Sequence, residues 1–235
     1  MTSVAPGWAY DEFVQVGLDF ADAAEVEAYD RRQGDKGPAN ETLLQELGVG
    51  KGHVLVDLGT GTGALAIAAA QRGAVVHAVD ISQAMLDRAA EKARLAGAAG
   101  NITFHRAGFL SYRHAAGTAD FVVSQYALHH LPDFWKQAAI ARIAAMLRPG
   151  GLFLLKDVAF SFPPQELEPA VESWLAAVSR EDGAGWSRRD FESHVRDENS
   201  TFAWVIEGML IRSGFKVERI DTSLSAYATF AARRS

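Results

Sequence analysis

Three glycines at alternate positions, Gly59, Gly61 and Gly63, are the residues of this sequence whose spacing points most directly to chemistry. They follow a β-branched apolar run that ends in Asp57, and they precede an alanine-rich stretch. This order predicts a strand, a tight turn and a helix. Because glycine has no Cβ, such a turn lets the backbone approach a ligand closely and exposes the amides of a helix N-terminus. We therefore expect a ligand-binding loop here.

The carboxylate of Asp57 helps to choose the ligand. Gly59, Gly61 and Ala64 also satisfy the G-x-G-x-x-A spacing of dinucleotide-binding folds. A carboxylate at the end of the strand would repel the pyrophosphate of NAD, whereas it would attract a ligand with an ammonium or sulfonium group. S-adenosylmethionine (SAM) carries both groups. The run Asp57-x-Gly59-x-Gly61-x-Gly63 resembles the cofactor loop of class I SAM-dependent methyltransferases.

A second apolar run, residues 74–79, ends in Asp80 about twenty residues beyond the glycines. An acidic side chain at this place can accept hydrogen bonds from both ribose hydroxyls of an adenosine cofactor. Ile81 follows and could pack on the adenine face. Ser82 is a good N-cap for a helix that runs to about residue 96, and Met85 in its first turn could face either the core or the cofactor.

A third predicted strand, residues 101–105, is followed by Gly108 and Phe109. Many members of the family have an acidic residue directly after this glycine, where it accepts a hydrogen bond from the adenine amino group. Phe109 stands in that place here. We expect backbone groups and stacking on Phe109 to replace the carboxylate, at some loss of base specificity.

The fourth predicted strand, residues 120–124, leads into residues 125–133, which read QYALHHLPD. Ligands of doubly wound sheets lie beyond the C-terminal strand ends, so this segment should face the reaction centre. It resembles the LHHL stretch of small-molecule methyltransferases of the ubiquinone- and menaquinone-biosynthesis type. By that resemblance, Ser124 or Gln125 meets the methionine moiety of SAM.

His129 and His130 are the candidate catalytic residues. A histidine can act as general base near neutral pH, and methyl transfer often needs a proton removed from the acceptor. The alternative is that a histidine here only orients the loop or satisfies a buried hydrogen bond. In a helix the two side chains would point in different directions, so at most one should face the substrate. We expect no metal site, because no acidic or histidine partner at ligand spacing is evident.

Bulk properties limit the class of protein. The 235 residues, 49% of them hydrophobic, suit one large α/β domain, and no window has the roughly eighteen apolar residues of a membrane span. The sequence has no cysteine and shows no signal peptide, so we expect a cytoplasmic protein without disulfides. A net charge of −6 with no dense basic block argues against a nucleic-acid partner. The residues specify no oligomeric state.

The expected fold is α/β, with a doubly wound, seven-stranded, mostly parallel sheet of the Rossmann-like methyltransferase type. We divide the chain into an N-terminal helical lid segment (1–51), a SAM-binding core (52–158), a helical cap insertion (159–200), and a last helix with an antiparallel strand pair (201–235). Asn40 could cap a helix that Gly48 ends. Candidate lid aromatics are Trp8, Tyr10 and Tyr29. Candidate cap residues that could contact the substrate are Trp174, Trp186, Phe191, His194, Arg196, Asp197, Glu198 and Trp204.

The resemblance implies transfer of a methyl group from SAM to a small, partly apolar acceptor by in-line displacement, with S-adenosylhomocysteine (SAH) as product. Asp57 and the backbone from Gly59 through Thr60 and Gly61 to Gly63 would hold the methionine end. Asp80 would hold the ribose, and Ile81, Gly108 and Phe109 the adenine. Open alternatives are a non-catalytic SAM-binding sensor or partner subunit, a tRNA or protein methyltransferase, and, ranked last, an NAD-dependent oxidoreductase.

Overall fold

A twisted sheet organises the computed structural model, which describes residues 6–14, 23–180 and 185–235. Its strands are β1 (Val54–Leu58), β2 (Val75–Asp80), β3 (Ile102–Arg106), β4 (Ala119–Gln125), β5 (Leu147–Phe160), β6 (Thr201–Phe202), β7 (Phe215–Leu224) and β8 (Tyr227–Arg234). Within these ranges the main sheet has the strand order β3, β2, β1, β4, β5, β8, β7, and β6 pairs with the end of β5. The predicted lid and cap segments both include residues outside the described ones, namely 1–5, 15–22 and 181–184.

The strand directions follow the connections between strands. β1 pairs in parallel with β2 and β4, β2 with β3, and β4 with β5. A helix crosses over from β1 to β2, from β2 to β3 and from β4 to β5, as parallel pairing requires a long connection. β8 runs antiparallel to both β5 and β7, since a short turn joins β7 to β8. The expected doubly wound, mostly parallel α/β sheet is therefore confirmed.

Helices cover both faces of the sheet. They are α1 (Ala23–Gln33), α2 (Gly37–Leu47), α3 (Ala64–Gln71), α4 (Gln83–Leu95), α5 (Asp133–Met146), α6 (Leu167–Val178), α7 (Arg188–Asp197) and α8 (Ala203–Arg212). Because side chains alternate along a strand, Leu55 packs with α2, α3 and α4, whereas Val56 and Leu58 pack with α5 and α8. None of the helices within the described residues has the length and apolarity to cross a bilayer.

Asn40 does not cap a helix, contrary to the prediction. α2 begins at Gly37, three residues earlier, because Pro38 suits the first turn of a helix, where its missing N–H costs nothing. Asn40 is thus inside the helix and buried, and its side-chain oxygen accepts a hydrogen bond from Gln125 Nε2 at 3.3 Å. Gly48 ends the helix in the left-handed conformation, as predicted.

The segment between β5 and α8 has a small core of its own. Phe160, Phe162 and Leu175 pack around Trp174, which is buried there. α7 begins with a capping box, in which the Ser187 and Asp190 side chains bond each other's backbone N–H groups. This helix carries one charged and polar face toward the C-terminal strand ends, where the candidate site lies.

Candidate active site

A cavity of about 560 Å³ lies beyond the C-terminal ends of β1, β2 and β4. Its volume is in the range of small-molecule sites. Eight of the twelve predicted cofactor residues line it: Gly59, Gly61, Asp80, Ile81, Met85, Gly108, Phe109 and Gln125. Both candidate catalytic histidines, His129 and His130, also line it. We call it the main cavity.

The glycine loop has a backbone that other residues adopt only with strain. Gly59, Gly61 and Gly63 have φ values of 75°, 54° and 80°, in the left-handed region. A Cβ on Gly59 would lie 2.3 Å from Ala127 Cβ, and one on Gly63 would lie 2.9 Å from Ala89 Cβ. The loop therefore needs glycine both for its turn and for its close approach to neighbouring segments.

Asp57 lies beneath this loop and is not among the residues that line the main cavity. It is buried, and Thr60 Oγ1 donates a hydrogen bond to Asp57 Oδ2 at 2.7 Å. Burial raises the pKa of Asp57 to about 7. Thr60, Gly63 and Ser124 are also absent from the cavity wall. These residues shape the loop and the strand end from below.

Asp80 lies at the end of β2 with its carboxylate at the cavity wall. Gly61 N–H donates to Asp80 Oδ2, and Ser82 N–H donates to Asp80 Oδ1, each at 2.9 Å. Burial raises the pKa of Asp80, and these backbone donors oppose that shift. The two bonds tie the glycine loop to the first turn of α4, so the carboxylate is held in one position relative to both.

Glu12 is a site residue that local sequence patterns did not reveal. It is 8% exposed, and its carboxylate accepts hydrogen bonds from Leu110 N–H at 2.8 Å and Ser111 N–H at 2.7 Å. A Cβ on Gly108 would lie 2.4 Å from Glu12 Oε2. The segment of residues 6–14 thus places a carboxylate beside Gly108, next to the position where Phe109 replaces the acid of the family. Nearly a hundred residues separate the partners, so no spacing rule finds this contact.

His129 is held between two carboxylates. Its Nδ1 lies 2.5 Å from Asp157 Oδ1, and its Nε2 lies 3.0 Å from Glu198 Oε2. Burial alone would lower the pKa of His129, but the two carboxylates outweigh it and raise the pKa to about 9. The imidazoles of His129 and of His194 on α7 lower the pKa of Glu198 against the effect of its burial. His129 is therefore fixed in position and orientation.

His130 lines the cavity together with His129. The two residues lie in a 3₁₀ turn, Leu128–His130, and their ring centroids are 4.3 Å apart. The His130 side chain is 39% exposed, and its Nδ1 lies 3.9 Å from Glu198 Oε2. Burial, followed by the neighbouring His129, lowers the pKa of His130 to about 4. The 3₁₀ geometry brings both rings to one side, unlike an α-helix.

α7 supplies partners that the expectation of no metal site overlooked. His194 and Glu198 are four residues apart, so they share one helix face, and His194 Nδ1 lies 2.6 Å from Glu198 Oε2. His129, His194 and Glu198 each offer a ligand atom, and these atoms all lie within 4.8 Å of one another. These partners come from a helix distant in sequence, so the spacing around His129 does not show them.

Aromatic side chains form the wall of the cavity near the histidines. Tyr126 and Tyr227 pack edge to face at 6.0 Å, and Phe191 also lines the cavity. Trp186 lines the cavity beside Tyr29, with 6.2 Å between the ring centroids. Tyr126 has a φ of 55°, which is rare outside glycine, and it lines the cavity. The cavity thus has a flat, apolar surface beside its polar cluster.

The predicted lid and cap aromatics divide between this wall and other places. Tyr10 and Tyr29 line the cavity, whereas Trp8 is exposed and stacks on Trp135. Trp174 belongs to the core of the cap, and Trp204 is exposed. Arg196 and Asp197 pair with each other at the surface, away from the cavity wall.

Comparisons with known proteins agree with this architecture. Residues 55–151 match the family described as methyltransferase domain. An uncharacterized methyltransferase of Geobacillus kaustophilus is 30% identical over 151 residues, which cover 63% of this chain and 68% of that protein. The 27-O-demethylrifamycin SV methyltransferase of Amycolatopsis mediterranei is 31% identical over 147 residues, which cover 62% of this chain and 53% of that protein.

A solved structure extends the likeness to nearly the whole chain. Magnesium protoporphyrin IX methyltransferase from Synechocystis PCC 6803, with bound SAH, superposes with a TM-score of 0.67 at 22% identity, covering 92% of this chain and 97% of that one. At that identity the likeness concerns the fold. Taken together with the matching sequence family, it shows that this chain belongs to the class I SAM-dependent methyltransferases.

Proposed function

We propose that this protein methylates a small, partly apolar acceptor, with SAM held by the glycine loop, Asp80 and the groups around Gly108. The observation that carries the proposal is one continuous cavity with two chemically different ends. One end is lined by Gly59, Gly61 and Asp80, and the other by the histidines and aromatic side chains. Such a cavity can hold a cofactor and an acceptor in contact with each other.

The residues at the cofactor end fit SAM. Gly59 and Gly61 line the cavity without side chains, so the backbone of the loop can approach a ligand closely. Asp80 is fixed by two backbone N–H groups and retains lone pairs for ribose hydroxyls. Glu12 adds a carboxylate beside Gly108, where it could accept a hydrogen bond from an adenine amino group.

When bound, SAM supplies a methyl group on a sulfonium, which an acceptor nucleophile displaces in line. The chain itself then has to position the acceptor and exclude water, because the methyl group is already activated. The aromatic wall of Tyr126, Tyr227 and Phe191 suits a flat, partly apolar acceptor. The protein from Amycolatopsis mediterranei, by its name, acts on a small molecule, which supports this class of acceptor.

Of the two candidate catalytic residues, we assign proton removal to His130 and positioning to His129. Both ring nitrogens of His129 already face carboxylates, Asp157 and Glu198. The imidazole of His130 is partly exposed to the cavity, so an acceptor can reach it. A preformed polar group beside the transfer site also favours an enzyme over a non-catalytic SAM-binding sensor.

The experiment is a methylation assay with purified protein, SAM and a panel of small hydroxylated aromatic and alicyclic compounds. SAH release and a mass gain of one methylene unit in the acceptor are measured together. We expect turnover with part of the panel, and a loss of about 10²-fold or more in kcat for His130→Gln with little change in SAM affinity. Methyl transfer to tRNA or to protein in place of every small compound would contradict the acceptor class.

A further inference from the structure

We propose that His129, His194 and Glu198 bind a divalent transition-metal ion, with Zn²⁺ as the first candidate, at the acceptor end of the main cavity. The site itself rests on the geometry of these three residues, and only its part in catalysis rests on the proposed function. All three side chains line the cavity, so an ion held by them would face the bound acceptor.

The three ligand atoms converge from two separate elements. His129 comes from the 3₁₀ turn after β4, whereas His194 and Glu198 come from the end of α7. Glu198 Oε2 lies 3.0 Å from His129 Nε2 and 2.6 Å from His194 Nδ1, and the ligand atoms all lie within 4.8 Å of one another. Ligands that share one Zn²⁺ at about 2.0–2.1 Å stand roughly 3–4 Å apart, so small side-chain rotations complete the cage.

Each histidine has an outer partner on its other ring nitrogen. His129 Nδ1 lies 2.5 Å from Asp157 Oδ1, and His194 Nε2 lies 2.8 Å from Ser200 Oγ. Asp157 is itself fixed, because Oδ2 accepts the backbone N–H of His129 at 3.0 Å. Metal-bound histidines are usually oriented in this way, with a carboxylate or hydroxyl on the far nitrogen. The pattern leaves His129 Nε2 and His194 Nδ1 as the ligand atoms.

Glu198 Oε2 has an unusual environment for a buried oxygen. Both imidazole nitrogens lie within 3.0 Å of it, in ion-pairing range, but the oxygen has no hydrogen bond of standard geometry. Three potential ligand atoms therefore converge on one point, and no well-aligned hydrogen bond holds the carboxylate oxygen there. An ion between the three groups would satisfy the oxygen and both nitrogens at once.

The donor set indicates the class of ion. Two imidazoles and one carboxylate suit Zn²⁺, Fe²⁺ or Ni²⁺, whereas Mg²⁺ and Ca²⁺ prefer oxygen ligands. Three protein ligands leave an open coordination position, as in catalytic zinc sites. That position would face the cavity and bind a hydroxyl or enol oxygen of the acceptor, lowering its pKa. The proposal therefore narrows the acceptor to compounds with such an oxygen.

A second histidine cluster provides a matched control. His77, His105 and His114 are also close together, but their ring nitrogens pair with one another and with the hydroxyls of Tyr112 and Thr118. Histidine content alone therefore does not distinguish the two clusters. The variant His105→Gln removes an imidazole from the control cluster and leaves the proposed site intact.

The test is a metal titration of the full chain, purified without a polyhistidine tag and freed of metal by a chelator. Zn²⁺ is titrated against a chromophoric competitor, and Co²⁺ is used as an optical probe of imidazole coordination. We expect one ion per chain, at least 100-fold weaker binding in His194→Ala and Glu198→Gln, and 10–100-fold weaker binding in Asp157→Asn. His105→Gln should bind Zn²⁺ within twofold of wild type, and circular dichroism checks the fold of each variant.

Wild-type protein that binds no stoichiometric Zn²⁺, Co²⁺, Fe²⁺ or Ni²⁺ would overturn the proposal, whatever the variants do. Stoichiometric binding that survives His194→Ala and is lost in His105→Gln would also overturn it. SAM is titrated into the same metal-free wild-type protein. If the protein binds SAM but no metal, the metal-site proposal alone is refuted. If it does not bind SAM, the proposed function is refuted.

Discussion

Asp80 is the residue on which the assignment of the cofactor end depends most. Its carboxylate joins Gly61 and Ser82 and faces the cavity. Hydrogen bonds to a charged group contribute about 1.5–3 kcal/mol, so Asp80→Asn should weaken SAM and SAH binding roughly 10–100-fold in calorimetric titration. Asp87→Asn is the control, because Asp87 is exposed and accepts a hydrogen bond from Gln83 on the same helix. Equal SAM affinity in the two variants would contradict the assignment of Asp80 to the SAM-binding site.

A substitution at Gly59 tests whether the glycine loop must pack closely against the segment that contains Ala127. Gly59 and Gly150 have nearly the same φ, 75° and 74°, so Ala at either position costs about 1–2 kcal/mol of backbone strain. Only at Gly59 would the new Cβ meet another atom, Ala127 Cβ at 2.3 Å, whereas at Gly150 nothing lies within 4 Å. Gly59→Ala should therefore abolish measurable SAM binding, and Gly150→Ala should lower thermal stability and keep the affinity. Retained SAM affinity in Gly59→Ala would contradict the loop geometry.

At the scale of elements, Glu12 connects the N-terminal segment to the cavity. Its carboxylate accepts the N–H groups of Leu110 and Ser111, so Glu12→Ala removes the bonds that hold the segment there. We expect faster limited proteolysis near the N-terminus and SAM affinity lowered by about tenfold, since two charge-assisted bonds are lost. Asp11→Ala is the matched control, because Asp11 is exposed and accepts from Phe13 nearby in the chain. Identical proteolysis in both variants would argue against this anchoring role.

The helices and strands that carry site residues show which of them local sequence patterns can predict. The strand ends that carry Asp57, Asp80 and Gln125 follow from apolar runs and glycine turns, because those signals are local. Glu12 and the pair His194 and Glu198 reach the site through contacts between distant segments, which single-sequence spacing does not encode. The predicted cap at Asn40 was wrong for a local reason: the signal of the proline two residues earlier was stronger.

At the scale of the whole molecule, the cluster of His77, His105 and His114 should make stability depend on pH. Burial lowers the pKa of all three, and neighbouring histidines lower it further for His105 and His114. The unfolded chain, with an ordinary histidine pKa of about 6.5, then binds more protons than the folded one, so stability falls as pH drops below that value. The facing groups, Tyr112 and Thr118, are uncharged hydroxyls at neutral pH.

Urea unfolding at pH 7.5 and pH 5.5 measures this effect. Wild type should lose more stability between the two pH values than His105→Gln, because the variant removes one of the groups that must stay neutral. Comparing the pH difference within each protein cancels the direct cost of the substitution. An equal loss in both proteins would show that another buried histidine, such as His130, dominates the acid response.

The fold itself was predictable because its signals repeat along the chain. Alternating apolar strands and helices, with a glycine turn after β1, indicate a doubly wound sheet without knowledge of long-range contacts. The site is less predictable, since it forms where the N-terminal segment and α7 meet the strand ends. Its cofactor half comes from local motifs, and its acceptor half depends on tertiary structure.

The central claim, SAM-dependent methyl transfer, is tested most directly by calorimetric titration of the full chain with SAM, SAH and NAD side by side. The glycine loop, Asp80 and the carboxylate of Glu12 predict micromolar binding of SAM and SAH, with no heat from NAD. Asp80→Asn should weaken the binding of SAM and of SAH together. Binding of NAD alone, or of none of the three, would contradict the account.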